Sequence, residues 1–367
     1  VTTAAPPELD EAGLDDVLVR IAAGAGERDR AEVPPFPDEA IADLEAAGAL
    51  AFNARPGTDR PPAAAELGLV RRVARADGSV GRILDGHLNG VERVAVQAPA
   101  QLRDRELTAV RAGRLRVGVW GGDPRPDEGP PATVLAAGLR EVLTGVKTFC
   151  SGAGGLDRAL ILARDPEAPA PAAVWVDLRD PATVAIDECW YRGAGMRASV
   201  SHRVIFDRAP VLARFGGPGA LVAQPWFARD ALRTAASWAG MADCAVDGAL
   251  DELAARPDCG PLEQLAVGRI LTGQETISAW LQRAAHAMDS ASGDLAQVAL
   301  HARVAIAQAS RAILAEAERA CGSHPFATGG RLDRARRDLE LFLLQHRLDP
   351  GLAAAGEREL ASHRSAR

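Results

Sequence analysis

Apolar residues return at i, i+3 and i+4 up to about residue 110, the spacing of amphipathic helices. The pattern predicts helices over residues 10–23 and 37–49 and continues through 66–75 and 79–96, with proline and glycine breaking the runs. Ser79 follows Asp77-Gly78 and is expected to cap the last of these. Near Arg114 the period changes. RLRVGVWGG, EVLTGVKTF, RALILARD and AAVWVDL are short β-rich runs separated by Gly, Pro and Asp. The stretch GMRASVSHRVIFDRAPV, residues 195–211, reads as a turn and a strand. Gly195 is expected at φ > 0. Val200, His202, Val204 and Phe206 share one face, Ser201, Arg203 and Ile205 the other, and Asp207 and Pro210 end the run. After about Pro218 the helical period resumes over 228–255, 261–290, 295–321 and 332–345.

This order predicts an α+β fold. Residues 1–113 form an N-terminal helical domain, 114–217 a central small β-barrel or sandwich, and 218–367 a C-terminal four-helix bundle. A hydrophobic content of 47% and a charged content of 25% over 367 residues suit packed units with sizeable cores. The net charge of -7, with no Lys/Arg-rich stripe, argues against a nucleic-acid partner. No window approaches the roughly 18 apolar residues of a membrane span. The opening VTTAAPPELDEAG lacks a signal peptide's basic and apolar regions, so a cytoplasmic location is expected. The five cysteines, Cys150, Cys189, Cys244, Cys259 and Cys321, make no CxxC pair, and free thiols without a metal site are expected.

Three separated segments carry a family resemblance. GMRASVSHRVIFD resembles the segment of acyl-CoA dehydrogenases that closes a β-domain over a flavin. RPDCG, residues 256–260, resembles that family's Arg-x-x-Phe-Gly element, and ACGSHPFATGGRLDRARRD resembles its closing segment with an Arg-Asp pair, here Arg337-Asp338. The resemblance implies FAD, with FMN as the alternative, in a homo-oligomer, dimer or tetramer. KTFCSGAGG would then be the flavin loop, with Phe149 packing on the ring and the Ser151 hydroxyl bonding flavin N5. In the companion loop GVWGGDP, Trp120 stands where the family has a small hydroxyl residue. From the residues alone, Phe149 and Trp120 fit equally well as β-domain core, and Ser151-Gly152 as a turn. Arg256 would bind the FAD pyrophosphate of a neighbouring subunit, with Gln264 following at the position of a family glutamine. Otherwise Arg256 simply complements a helix dipole.

The resemblance also implies a reaction at the CH–CH group of an acyl thioester or related small molecule, with a base taking the α-proton and hydride passing to N5. One subgroup places its Glu nine residues before the Asp of the Arg-Asp pair, where this chain has Gly329. A second takes it from the first C-terminal helix, where Asp230 is the candidate base or else a helix cap. A monooxygenase branch, fed with reduced flavin and O₂, often carries a His near the last helix and another in the N-terminal domain. His346 and His87 are the candidates here, with His324 in the glycine-rich loop. Residues 224–227, Gln-Pro-Trp-Phe, resemble a loosely defined group of acyl-CoA dehydrogenase-like proteins. Three functions follow: a dehydrogenase acting on a coenzyme A thioester or another small molecule, with an electron-transfer flavoprotein; a monooxygenase served by a flavin reductase; or a silent relative acting as a subunit or binding protein.

Overall fold

The computed structural model describes residues 9–57, 59–290, 294–345 and 347–366. Five helices open the chain: α1 (Glu11–Arg30), α2 (Asp38–Ala46), α3 (Ala63–Ala76), α4 (Gly78–Gln97) and α5 (Ala100–Arg111). Asp77, not Ser79, caps α4, and its carboxylate accepts from the Ser79 and Val80 N–H groups at 2.8 and 3.2 Å. Aspartate does this well because its carboxylate meets the N-terminal end of the helix dipole.

The strands are β1 (Val117–Trp120), β2 (Thr133–Ala137), β3 (Arg140–Cys150), β4 (Arg158–Ala163), β5 (Ala172–Asp177), β6 (Val184–Asp187) and β7 (His202–Arg214). They pair in the order β1-β4-β5-β7-β3-β2, with β6 also on β7. Only β1 and β4 run parallel among these pairs. Bridges from Pro131 to Val146 and from Thr133 to Arg164 curl the far edge back towards β4, as a small barrel requires. β7 does not stop at Asp207 or Pro210. It continues to Arg214 because its first half pairs with β3 and its second half with β5, and Arg208 turns the backbone between them at φ 54°. Gly195 is not at positive φ either; Met196 (φ 54°) and Val200 (φ 41°) take the left-handed conformations.

The C-terminal helices are α6 (Trp226–Ala254), α7 (Pro261–Asp289), α8 (Leu295–Cys321), a short α9 (His324–Ala327), α10 (Arg331–Phe342) and α11 (Asp349–Ser365). α6 is the central element, buried along most of its length. Alanines and glycines let neighbours come close: a Cβ on Gly240 would lie 2.2 Å from the Arg71 carbonyl of α3. One continuous apolar core runs from α1–α4 into α6, α7, α8 and α10, so the first and last helical segments are packed as one body. A second core fills the barrel, and a third joins α4 and α5 to β4 and β5. No helix among the described residues is long and apolar enough to cross a membrane.

Candidate functional site

The two helical segments and the sheet meet around a cavity of about 520 Å³, within the usual range of about 300–1,000 Å³ for small-molecule sites. Its walls come from α4 (Arg82, Asn89), the end of β3 (Phe149), the loops after β1 and β3 (Gly121, Ser151), and α6, α8 and α10 (Asp230, Thr234, Arg303, Phe342).

β3 builds the floor. Its pairing with β7 shifts between Lys147 and Cys150, and Phe149 sits in the bulge at φ 54°. That backbone conformation is costly for an aromatic residue, and it turns the ring outward, 58% exposed, with Trp190 edge-on at 5.0 Å. Lys147, the only lysine in the chain, is completely buried and pins the strand. Its Nζ donates to the Gly121 and Leu162 carbonyls and to Asp123 at 2.7–3.1 Å. Desolvation lowers its pKa, opposed by Asp123.

Ser151 begins a chain of hydroxyls. Its Oγ lies 2.9 Å from Ser201 Oγ, which lies 2.8 Å from Ser199 Oγ. Ser199 donates to the Met196 carbonyl at 2.6 Å, and Arg82 Nε donates to Ser151 at 3.3 Å. Arg82 also pairs with Asp85, whose other oxygen accepts from Ser237 at 2.9 Å. Burial raises the Asp85 carboxyl despite this pairing. With the Ser199 proton committed, the Ser201 proton goes to Ser199 and the Ser151 proton closes the chain on Ser201 Oγ. Ser151 then accepts from Arg82 and keeps one lone pair free towards the cavity.

Asp230 lines the cavity, with its side chain 15% exposed. Its Oδ2 accepts from Arg93 at 2.5 Å and its Oδ1 from Arg233 at 3.4 Å. Burial pushes the carboxyl up to about 6 against the pull of both guanidiniums. Behind it, Arg233 bonds Glu66 and Glu92, and Arg229 bonds Glu92 at 2.7 Å. Burial would raise Glu92, but Arg233 and Arg229 hold it down at about 2.

The remaining expected residues lie elsewhere. Trp120 is buried in the barrel core, and its Nε1 supports the flavin loop candidate from behind by donating to the Ser151 carbonyl at 3.0 Å. Its indole fills the interior face of β1 and so is not a cavity wall. His87 is also withdrawn. Its Nδ1 accepts from the Val117 N–H at 3.1 Å, which fixes the proton on Nε2, donated to the Leu50 carbonyl at 2.9 Å. Desolvation lowers it to about 4. Arg256 spends both terminal nitrogens on the Ala320 and Cys321 carbonyls at the end of α8, and Gln264 donates to the Cys259 carbonyl. Neither lines the cavity in this chain. Gly329 (φ 71°) and the exposed His324 lie outside it too, whereas His346 falls outside the described residues. The site residues that sequence reasoning missed are Arg82, Asp85, Ser199, Ser201 and Arg303. The readable sign was a charge or hydroxyl on a face that should be apolar: Arg303 falls between Ala299 and Ala307 on the buried side of α8.

Two helical segments packed as one body, a small curled sheet and a shared cavity define an acyl-CoA dehydrogenase-like fold. Residues 217–344 match the family described as acyl-CoA dehydrogenase, C-terminal domain. Solved structures share the whole architecture. KijD3 in complex with FMN and dTDP-3-amino-2,3,6-trideoxy-4-keto-3-methyl-D-glucose superposes with a TM-score of 0.81 at 22% identity, over 96% of this chain and 95% of that one. Methanesulfinate monooxygenase MsuC from Pseudomonas fluorescens gives 0.82 at 19% identity, over 96% of each chain. TdsC from Paenibacillus sp. A11-2, with FMN and indole, gives 0.78 at 19%, over 96% and 98%. A search of curated proteins finds no match to the sequence.

Proposed function

We propose that this protein is a flavin-dependent monooxygenase that receives reduced flavin, FMN in preference to FAD, from a partner reductase. The residues present suit a flavin. Phe149 offers an uncovered aromatic face, Ser151 a hydroxyl oxygen with a free lone pair, and Gly121 an open edge where an added Cβ would meet nothing within 4 Å. A bound flavin would supply two-electron chemistry, either accepting hydride or, when reduced, reacting with O₂. The chain's own part is to hold the ring against Phe149, to present the Ser151 hydroxyl oxygen at its polar edge, and to exclude water with Phe227, Leu341 and Phe342.

One observation favours oxygen chemistry over α-proton removal. Asp230 is the only carboxylate lining the cavity among the described residues, and a guanidinium engages each of its oxygens. To reach a substrate carbon it would have to leave the buried Arg93 without its one carboxylate partner among the described residues. The other family position for a base is Gly329, which has no proton acceptor in its side chain. The fold this chain shares with FMN-bound KijD3 and TdsC, and with the monooxygenase MsuC, supports the same choice. A homo-oligomer accompanies this reading.

A dehydrogenase remains the second reading, because Asp230 does face the cavity and is raised to about 6. Purified protein titrated with FMN and FAD, then assayed for O₂ uptake with a flavin reductase and for anaerobic bleaching by acyl thioesters, separates the two. Reductase-dependent O₂ uptake is expected, and thioester bleaching that vanishes in Asp230→Asn would reverse the assignment. Failure to bind either flavin would leave the silent-subunit function. Ser151→Ala is expected to weaken flavin binding about tenfold, the loss of roughly one hydrogen bond, as measured by fluorescence titration.

A further inference from the structure

Arg303 projects from α8 into the cavity and is 8% exposed. Its Nε and one terminal nitrogen are buried without a hydrogen-bond partner, and no carboxylate pairs with it among the described residues. Its one close neighbour of note is the Trp238 ring, whose centroid lies 5.3 Å from the guanidinium carbon. Desolvation alone shifts its pKa, downward to about 10, and at neutral pH it stays charged. The other two charged groups of the cavity wall are neutralised: Arg82 by Asp85, and Asp230 by Arg93 and Arg233. Arg303 is therefore an uncompensated cation in a water-poor site, and the planar fork of a guanidinium is suited to a bidentate oxyanion. Trp238 packs edge-on against Phe342 at 6.1 Å, and the Arg82 guanidinium carbon lies 5.6 Å from the Phe342 ring centroid. The anion-binding end is thus walled by aromatic rings, with Leu341 and Phe227 elsewhere along the cavity.

We propose that Arg303 binds an oxyanion of the substrate, a carboxylate, sulfinate or sulfonate carried on a small apolar body. This deepens the monooxygenase reading by naming a substrate class, but the binding step needs no flavin and is tested without it. A flavin phosphate is the other source of the same chemistry.

Calorimetric titration of the flavin-free protein with hexanoate, hexanesulfonate and the uncharged hexanamide is the first measurement. The acids are expected to bind at least tenfold more tightly than the amide. Arg303→Gln should remove that preference, and Arg303→Lys should keep part of it, since a point charge replaces the fork. The ratio of FMN to riboflavin affinity should be the same in the variants as in the native protein. Equal binding of acids and amide by the native protein overturns the proposal without any variant. So does an Arg303→Gln protein that still prefers the acids. A selective loss of FMN over riboflavin in that variant overturns it in favour of the flavin phosphate. Loss of flavin binding with the acid preference intact would sink the functional reading and leave this one standing.

Discussion

At the scale of single residues, His87 shows how a side chain suited to catalysis is spent on architecture. Its neutral imidazole joins the Leu50 carbonyl to the Val117 N–H, tying α4 to the segment after α2 and to the first strand. Protonating Nδ1 would abolish the acceptor that Val117 needs and would charge a ring that is 2% exposed. The folded-state value of about 4 lies below the usual 6.5, so the unfolded chain takes up this proton first. The sign follows: the contribution is full above pH 6.5 and is lost as pH falls towards 4, on the order of 3 kcal/mol at most. Urea denaturation across that range should show a shallower acid decline in His87→Gln than in the native protein, though from a lower start at pH 7. If the two declines run parallel, His87 does not carry the protonation.

At the scale of elements, the junction between the loop before β7 and α10 depends on the absence of a side chain. A Cβ on Gly195 would stand 2.1 Å from the Arg337 carbonyl. The same contact lets Asp338 accept the Met196 N–H at 2.5 Å and lets Arg337 reach the Ala194 carbonyl. Gly195→Ala should cost about 2 kcal/mol or more in denaturant unfolding, from overpacking and from these lost bonds. The buried cluster between α3, α4 and α6 is more sensitive. Arg233→Met would leave Glu66 and Glu92 facing each other with only Arg229 and Arg60 close by, and should cost about 3–5 kcal/mol. A loss below about 1 kcal/mol would mean that the cluster rearranges around the gap. These two junctions also mark what the sequence made legible. The long C-terminal helices could be read because their apolar period persists for many turns. β7 was cut short because Asp207 and Pro210 look like turn chemistry, while the strand survives by changing partners near Arg208. Phe149 and Ser151 could be found from a loop motif, since their neighbours in sequence are also their neighbours in space. Arg82, Ser201 and Arg303 could not, because helix packing and β7 pairing bring them together from positions far apart in the chain.

At the scale of the whole molecule, the cavity lies where the helical body meets the sheet, and its walls come from both. α4 supplies Arg82, β3 and the loop after it supply Phe149 and Ser151, and α6, α8 and α10 supply Asp230, Arg303 and Phe342. A ligand in such a place contacts every layer, while the unfolded chain offers it no assembled site, so binding should stabilise the fold as a unit. At a flavin concentration a hundredfold above Kd the gain is about 2.7 kcal/mol. Thermal unfolding followed at increasing FMN should therefore show one transition moving upward, with the helical and the aromatic signals shifting together. Riboflavin should move it too if the ring is held as argued, because Phe149 and Ser151 address the ring and not the phosphate. A second, unshifted transition would instead mean that the helical body, which shares one core from α1 to α10, melts independently of the small sheet. In that event the bulge at Phe149 would be a feature of the sheet alone, and the floor of the cavity would not be coupled to its walls.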